Sequence, residues 1–319
     1  GEGFIKWTTM FGRNGGARIE TTADSINAAE RETTGEVIAA GAIDSQMIDP
    51  QPADIKGKND AALILFASDG SITWEKYVGG TAADTFHGIT VINSGGYIAV
   101  GSSQSKDGDF QDMNHGGYDA TVVKFDYDGN VTAKATFGGS NKDEFNDVIN
   151  TTDGGFLAIG YTGSADGTME GIKTTTDQDA LIVKYDKDLN VQWVKVYDGG
   201  AEGDFLEKAD EFESVIRAAD GSFVCVGYAN AKSDALAVRY GEDGTLIWGK
   251  QYGGSGDDVI NAVSKAPNNK TEIDKTNIDP SDIPGGFVFS GTSDSQDGIF
   301  EGKNTTGTDN AFIMKIDMN

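Results

Sequence analysis

The sequence predicts an all-β fold, a five-bladed β-propeller with four antiparallel strands per blade and a last blade closed by the N-terminal strand. Three observations carry this. One strand motif occurs five times, as GEVIAAG (35–41), GGYIAVG (95–101), GGFLAIG (154–160), GSFVCVG (221–227) and GGFVFSG (285–291). Its closing glycines follow one another at spacings of 60, 59, 67 and 64 residues, a period that belongs to propellers, solenoids and arrays. The chain also begins on one strand type and ends on another, so that its two ends complement each other.

Each unit reads as four short strands separated by turn residues. The first strand is amphipathic and follows an aspartate: Asp24-SINAA, Asp84-TFHGITVI, Asp143-EFNDVI, Asp210-EFESVI and Asp258-VINAV. In four units this aspartate lies 17 residues before the closing glycine, and in the fifth an insertion over 264–283 intervenes. The second strand is the glycine-aromatic motif. The third is DAALILF (60–66), DATVVKF (119–125), DALIVKY (179–185), DALAVRY (234–240) and NAFIMKI (310–316). Second and third strands are near-continuous apolar runs, which requires cover on both faces, as in sheets stacked around an axis. The fourth strand carries Trp7, Trp74, Trp193 and Trp248, with Ala133 in one unit.

The first fourth-type strand, residues 4–10, stands alone at the N-terminus, and the last unit stops after its third strand. Pairing the two would remove open sheet edges. The reading is one domain over 1–319: blade 1 about 18–78, blade 2 84–137, blade 3 143–197, blade 4 208–252, and blade 5 258–317 plus 4–10.

Composition narrows the partners. Twenty-five basic against 51 acidic residues give a net charge of −26. Such a field repels phosphate backbones and anionic lipid, which argues against nucleic acid and membrane surfaces. No apolar run approaches transmembrane length. The single cysteine, Cys225, sits mid-strand and reads as a core residue. The chain opens GEGFIKW without an initiator Met, which we read as a trimmed N-terminus from which an export leader has been removed.

The order W-x-x-x-Y-x-G-G, an Asp four residues on, a D-G-G-F strand ending in G-x-T-x-S, then D-A-x-x-V-K-Y-D-x-D-G-N resembles the bacterial propeller repeats of secreted and cell-surface proteins, the SBBP-type repeats. The resemblance covers nearly the whole chain and is clearest over 74–130 and 138–190. It implies export, an extracellular or cell-surface location and a surface role. It implies no catalytic residues.

Long loops gather on one face of such a ring, where functional groups concentrate on rigid scaffolds. The ligand-binding candidates on or near that face are His87, Phe110, His115, Tyr118, Tyr161, Tyr228 and Phe300. Three loops share an S-x-D-G kernel, at Ser105, Ser164 and Ser295. Their acids, Asp107, Asp109, Asp166 and Asp297, are the metal candidates, because calcium takes carboxylate and carbonyl oxygens. The complete calcium-loop pattern is absent, so no cofactor is required and calcium is the one metal the pattern would suit. The recurring Asp24, Asp84, Asp143, Asp210 and Asp258 read as ties on the glycine loop before each first strand, with a cation-gathering ring as the alternative.

Two histidines form no zinc set, and no nucleophile elbow, P-loop or dinucleotide fingerprint occurs. The favoured function is a noncatalytic, monomeric surface module that binds glycan or protein. The alternatives are a glycoside hydrolase using a carboxyl pair, with Glu144, Glu211 and Glu213 as the unique acids near the inner strands, and a structural spacer within a larger surface protein.

Overall fold

The computed structural model describes residues 25–31, 35–44, 55–57, 59–92, 95–199, 209–266, 286–304 and 307–316. Nineteen strands among them form five antiparallel sheets. Sheet one holds β1 (Ser25–Arg31), β2 (Val37–Asp44), β3 (Asn59–Phe66) and β4 (Ile72–Val78). Sheet two holds β5 (Asp84–Val91), β6 (Tyr97–Ser103), β7 (Asp119–Phe125) and β8 (Val131–Phe137). Sheet three holds β9 (Asp143–Asn150), β10 (Phe156–Thr162), β11 (Asp179–Tyr185) and β12 (Val191–Tyr197). Sheet four holds β13 (Glu211–Arg217), β14 (Phe223–Ala229), β15 (Asp234–Tyr240) and β16 (Leu246–Tyr252). Sheet five has three described strands, β17 (Asp258–Lys265), β18 (Phe287–Ser293) and β19 (Asn310–Ile316).

Strand order within every sheet follows chain order, so each sheet is a meander. The first strand of sheets two to five packs on the first three strands of the sheet before it. β1, β5, β9, β13 and β17 therefore run side by side from sheet to sheet. The N-terminal strand expected over 4–10, Asp24 and most of the 264–283 insertion lie outside the described residues.

The core lies between sheets. Ile98, Val100, Ala120 and Val122 of sheet two meet Phe145, Phe156, Leu181 and Val183 of sheet three in one cluster. Equivalent clusters join sheets one and two, three and four, and four and five. β6, β10, β11 and β14 are buried at every position, as continuous apolar runs demand.

Each first strand carries a β-bulge, at Asn27, His87, Asn146, Glu213 and Asn261, where one residue drops out of the pairing register. A bulge bends its strand and re-aims the extra side chain. It also brings a backbone carbonyl onto the closing glycine of the second strand. A Cβ on Gly160 would lie 2.0 Å from the Glu144 carbonyl oxygen, and one on Gly101 the same distance from that of Thr85. Only glycine fits so close an approach, which explains its return in every unit.

Candidate functional site

The recurrent aspartates do what the sequence predicts of them. Asp84 accepts from the Gly80 N–H at 2.9 Å and from the hydroxyls of Ser103 and Ser105. Asp143 repeats this with Gly139, Thr162 and Ser164. Asp210 takes the Gly199 and Asn230 N–H groups, and Asp258 the Gly254 N–H and the Ser295 hydroxyl. Burial raises the pKa of Asp84 and Asp210 to about 6 despite these donors.

The S-x-D-G kernels belong to the same lattice of bonds. Ser105, Ser164 and Ser295 accept the Ala82, Asn141 and Gly256 N–H groups. Asp107, Asp166 and Asp297 accept the Thr81, Ser140 and Ser255 N–H groups at 2.6–2.7 Å. Asp109 accepts from the Gly79 N–H at 3.0 Å and pairs with Lys56 at 2.6 Å. These four metal candidates sit on three separate sheets, each tying a loop to the sheet before it, and do not converge.

The aromatic candidates divide. Phe110 and Phe300, expected on the binding face, are buried, with 1% and 7% exposure. Each ends a 3-10 turn that begins at the kernel glycine and folds the ring into the core, where Phe300 packs on Phe312. Met169 holds the same place in sheet three. His115 is tied to Asp119, which accepts from its backbone N–H and lies 2.8 Å from its ring Nδ1. It therefore anchors a loop.

The remaining candidates converge on the first strands of sheets two to four. The Glu144 carboxylate meets Ser102 Oγ at 3.1 Å, the Tyr161 hydroxyl at 3.3 Å, His87 Nε2 at 3.2 Å and Lys142 Nζ at 3.3 Å. Lys142 also lies 5.1 Å from the Tyr161 ring centroid and 5.6 Å from that of Tyr118. Glu211 accepts from the Tyr228 hydroxyl at 2.5 Å, Gln178 Nε2 at 3.0 Å and Asn146 Nδ2 at 2.8 Å. Tyr161 and Tyr228 are buried, so they orient the acids through their hydroxyls and present no open ring face. Burial lowers the His87 pKa and favours neutral imidazole.

Bulge residues reach from one first strand to the next. Asn27 donates to the Phe86 carbonyl and Asn146 to the Phe212 carbonyl, both at 2.8 Å. His87 reaches Glu144 in the same sense. At Glu213 the pattern breaks. The position matching Glu144 and Glu211 on β17 is Val259, which has no side-chain donor. Burial, and then the charges of Glu211 and Glu144, push the Glu213 pKa to about 7.

A second acidic group joins Asp179, Asp198 and Asp210, each offering an oxygen within 4.8 Å of the others. Lys173 Nζ, 2.9 Å from Asp179, already brings a positive charge to it. Elsewhere, a cavity of about 330 Å³ lies along β19, lined in part by Phe300, Phe312, Ile313 and Met314. No helix among the described residues is long and apolar enough to cross a membrane.

No family model matches the chain, and neither does any curated protein. Solved structures similar to it include an exo-β-1,3-galactanase from Clostridium thermocellum, at 10% identity and a TM-score of 0.38 over 91% of this chain and 58% of that one. Hydrazine synthase of Kuenenia stuttgartiensis gives 8% identity and a TM-score of 0.43 over 96% and 70%. The rhamnogalacturonan lyase YesW gives 11% and 0.33 over 90% and 69%. Likeness of this degree says nothing of activity.

Proposed function

We propose that this chain is a five-bladed propeller that binds a glycan at the first strands of its second, third and fourth blades. The supporting observation is the departure from the repeat at those strands. Glu144, Glu211, Glu213 and His87 stand where the other sheets place Ser25, Thr85, Val259 or asparagine. Groups that only build blades recur in every blade, whereas groups that recognise a ligand need not. Carboxylates, imidazole and the half-exposed Lys142 supply the acceptors and donors that sugar hydroxyls require. Residues 4–10 complete the fifth blade in this reading, since IKW at 5–7 has the place of ITW and VQW in β4 and β12. The resemblance to exported repeat proteins supports a place at the cell surface or outside the cell, and in this reading the chain acts as a monomer. The test is a glycan array followed by titration calorimetry. Glu144→Gln should weaken the captured glycan about tenfold or more, the loss of one charge-assisted hydrogen bond, and His87→Ala by about three- to tenfold, the loss of a neutral one. An array without binders would end the proposal.

Glu213 favours a second reading, glycoside hydrolysis. Burial pushes its pKa to about 7, and it stands near Glu144 and Glu211. Each of these accepts several hydrogen bonds. A raised acid thus has further carboxyl groups close by, as glycoside hydrolysis needs. New reducing ends from a bound glycan, lost in Glu213→Gln, would support it.

A further inference from the structure

The connection from each fourth strand to the next first strand repeats one tie. The amide that the recurrent aspartate accepts belongs to Gly80, Gly139, Gly199 or Gly254. The residue before that amide is glycine at 79, 138 and 253. A Cβ there would stand 2.7, 2.3 and 2.3 Å from an oxygen of Asp84, Asp143 and Asp258. Between sheets three and four this place is taken by Asp198. The tie from Gly199 to Asp210 also spans 11 residues, against 4 at the other three junctions. Two departures from the repeat thus coincide at one junction. Together they bring a third carboxylate to Asp179 and Asp210.

Asp179 independently points to a ligand. It is 3% exposed, and its Oδ1 has no hydrogen-bond partner among the described residues. Its other oxygen faces Lys173 at 2.9 Å, an ammonium shared with Asp177 at 3.3 Å. The matching third-strand acids, Asp60 and Asp234, aim their Oδ1 at the glycine place, 2.7 and 3.4 Å from a Cβ on Gly79 or Gly253. In sheet three that direction leads to Asp198. Asp119 and Asp258 leave an oxygen unpartnered as well, but their junctions carry glycine where this one carries a third acid.

We infer that Asp179, Asp198 and Asp210 hold a calcium ion between sheets three and four. Their oxygens lie within 4.8 Å of one another. Ligands on opposite sides of a calcium ion, each at about 2.3–2.6 Å, stand about 4.6–5.2 Å apart, whereas magnesium draws them to about 4.2 Å or less. Three carboxylates, completed by water to about six to eight oxygens, form the hard donor set that calcium takes. A set without sulfur or imidazole does not suit zinc or copper. The ion would supply the partner that the buried Asp179 oxygen lacks.

The test is titration of the chelator-treated full chain with calcium chloride, paired with thermal unfolding. The wild type should bind calcium saturably and gain Tm as calcium rises. Asp198→Gly restores the residue of the other sheets, and Asp198→Asn keeps the shape and removes the charge. Each should weaken calcium about tenfold or more, since affinity follows the charge of the ligands, and should abolish the gain in Tm. Asp188→Asn, on the exposed β11–β12 turn, should leave both readouts unchanged. A wild type without saturable calcium binding overturns the site, and so does binding that both Asp198 variants retain in full. Magnesium held as tightly as calcium overturns the choice of ion.

Discussion

Asp143 organises three chain segments through one carboxylate, binding the Gly139 amide and the hydroxyls of Thr162 and Ser164. Removing it strands those donors in a buried site. Asp143→Ala should lower unfolding stability by about 3 kcal/mol, read from urea midpoints, because orphaned buried donors cost about 1–3 kcal/mol each. Glu213 shows the opposite sensitivity. Its pKa rises from 4.5 to about 7 on folding. The stability linked to its protonation is complete below pH 4.5 and is lost as pH rises through about 7. Glu213→Gln, which keeps the neutral form, should match the wild type in Tm below pH 4 and exceed it at pH 8. Equal Tm values at both pH values would remove Glu213 from the list of strained acids. Phe110 is a core ring, 1% exposed. Phe110→Ala should cost about 3–5 kcal/mol, the usual loss for a buried ring, and leave the affinity of the folded protein for glycan unchanged.

Among the elements, the second and third strands and the ties made by the aspartates were legible, because apolar runs recur in every unit and a 17-residue spacing survives in four of the five. The bulges were not. A single dropped residue leaves the apolar pattern of the first strand almost intact, so Asn146 or Glu213 looks like any polar position. The buried turn aromatics had a signal that was missed: Phe110, Met169 and Phe300 each stand five residues after the kernel serine, and an apolar residue fixed in register with a turn belongs to the core. The glycine that accepts the bulge gives the element-scale prediction. Gly160→Ala sets its Cβ against the Glu144 carbonyl at 2.0 Å and should cost about 3 kcal/mol or more, as an overpacked site does. Gly154→Ala meets no atom within 4 Å but has φ +83°, and should cost only about 1–2 kcal/mol. Chemical denaturation of the two variants separates close approach from backbone conformation.

For the whole molecule, charge and burial act in the same direction. Asp84, Asp179 and Asp210 are raised by burial to about 6 from 3.8. Their linked stability is complete below 3.8 and lost as pH rises through about 6. Self-repulsion of a chain with net charge −26 grows over the same range. Asp153, held at about 2 by Lys184, Thr151 and Gly155 against its partial burial, works the other way and loses its contribution only in stronger acid. Calorimetry should therefore find Tm falling from pH 5 to pH 7.5, with added salt recovering part of the loss through screening. A Tm that climbs over that interval would contradict the burial of these three groups.

The bulge in every first strand has one more consequence. A side chain held out of the ladder can be exchanged without disturbing pairing within its sheet, so a change at position 27, 87, 146, 213 or 261 alters the contact made toward the neighbouring first strand and leaves the ladder itself in place. The repeat therefore hands evolution, or an engineer, five interchangeable slots on a constant frame, and new specificity can arise there one substitution at a time.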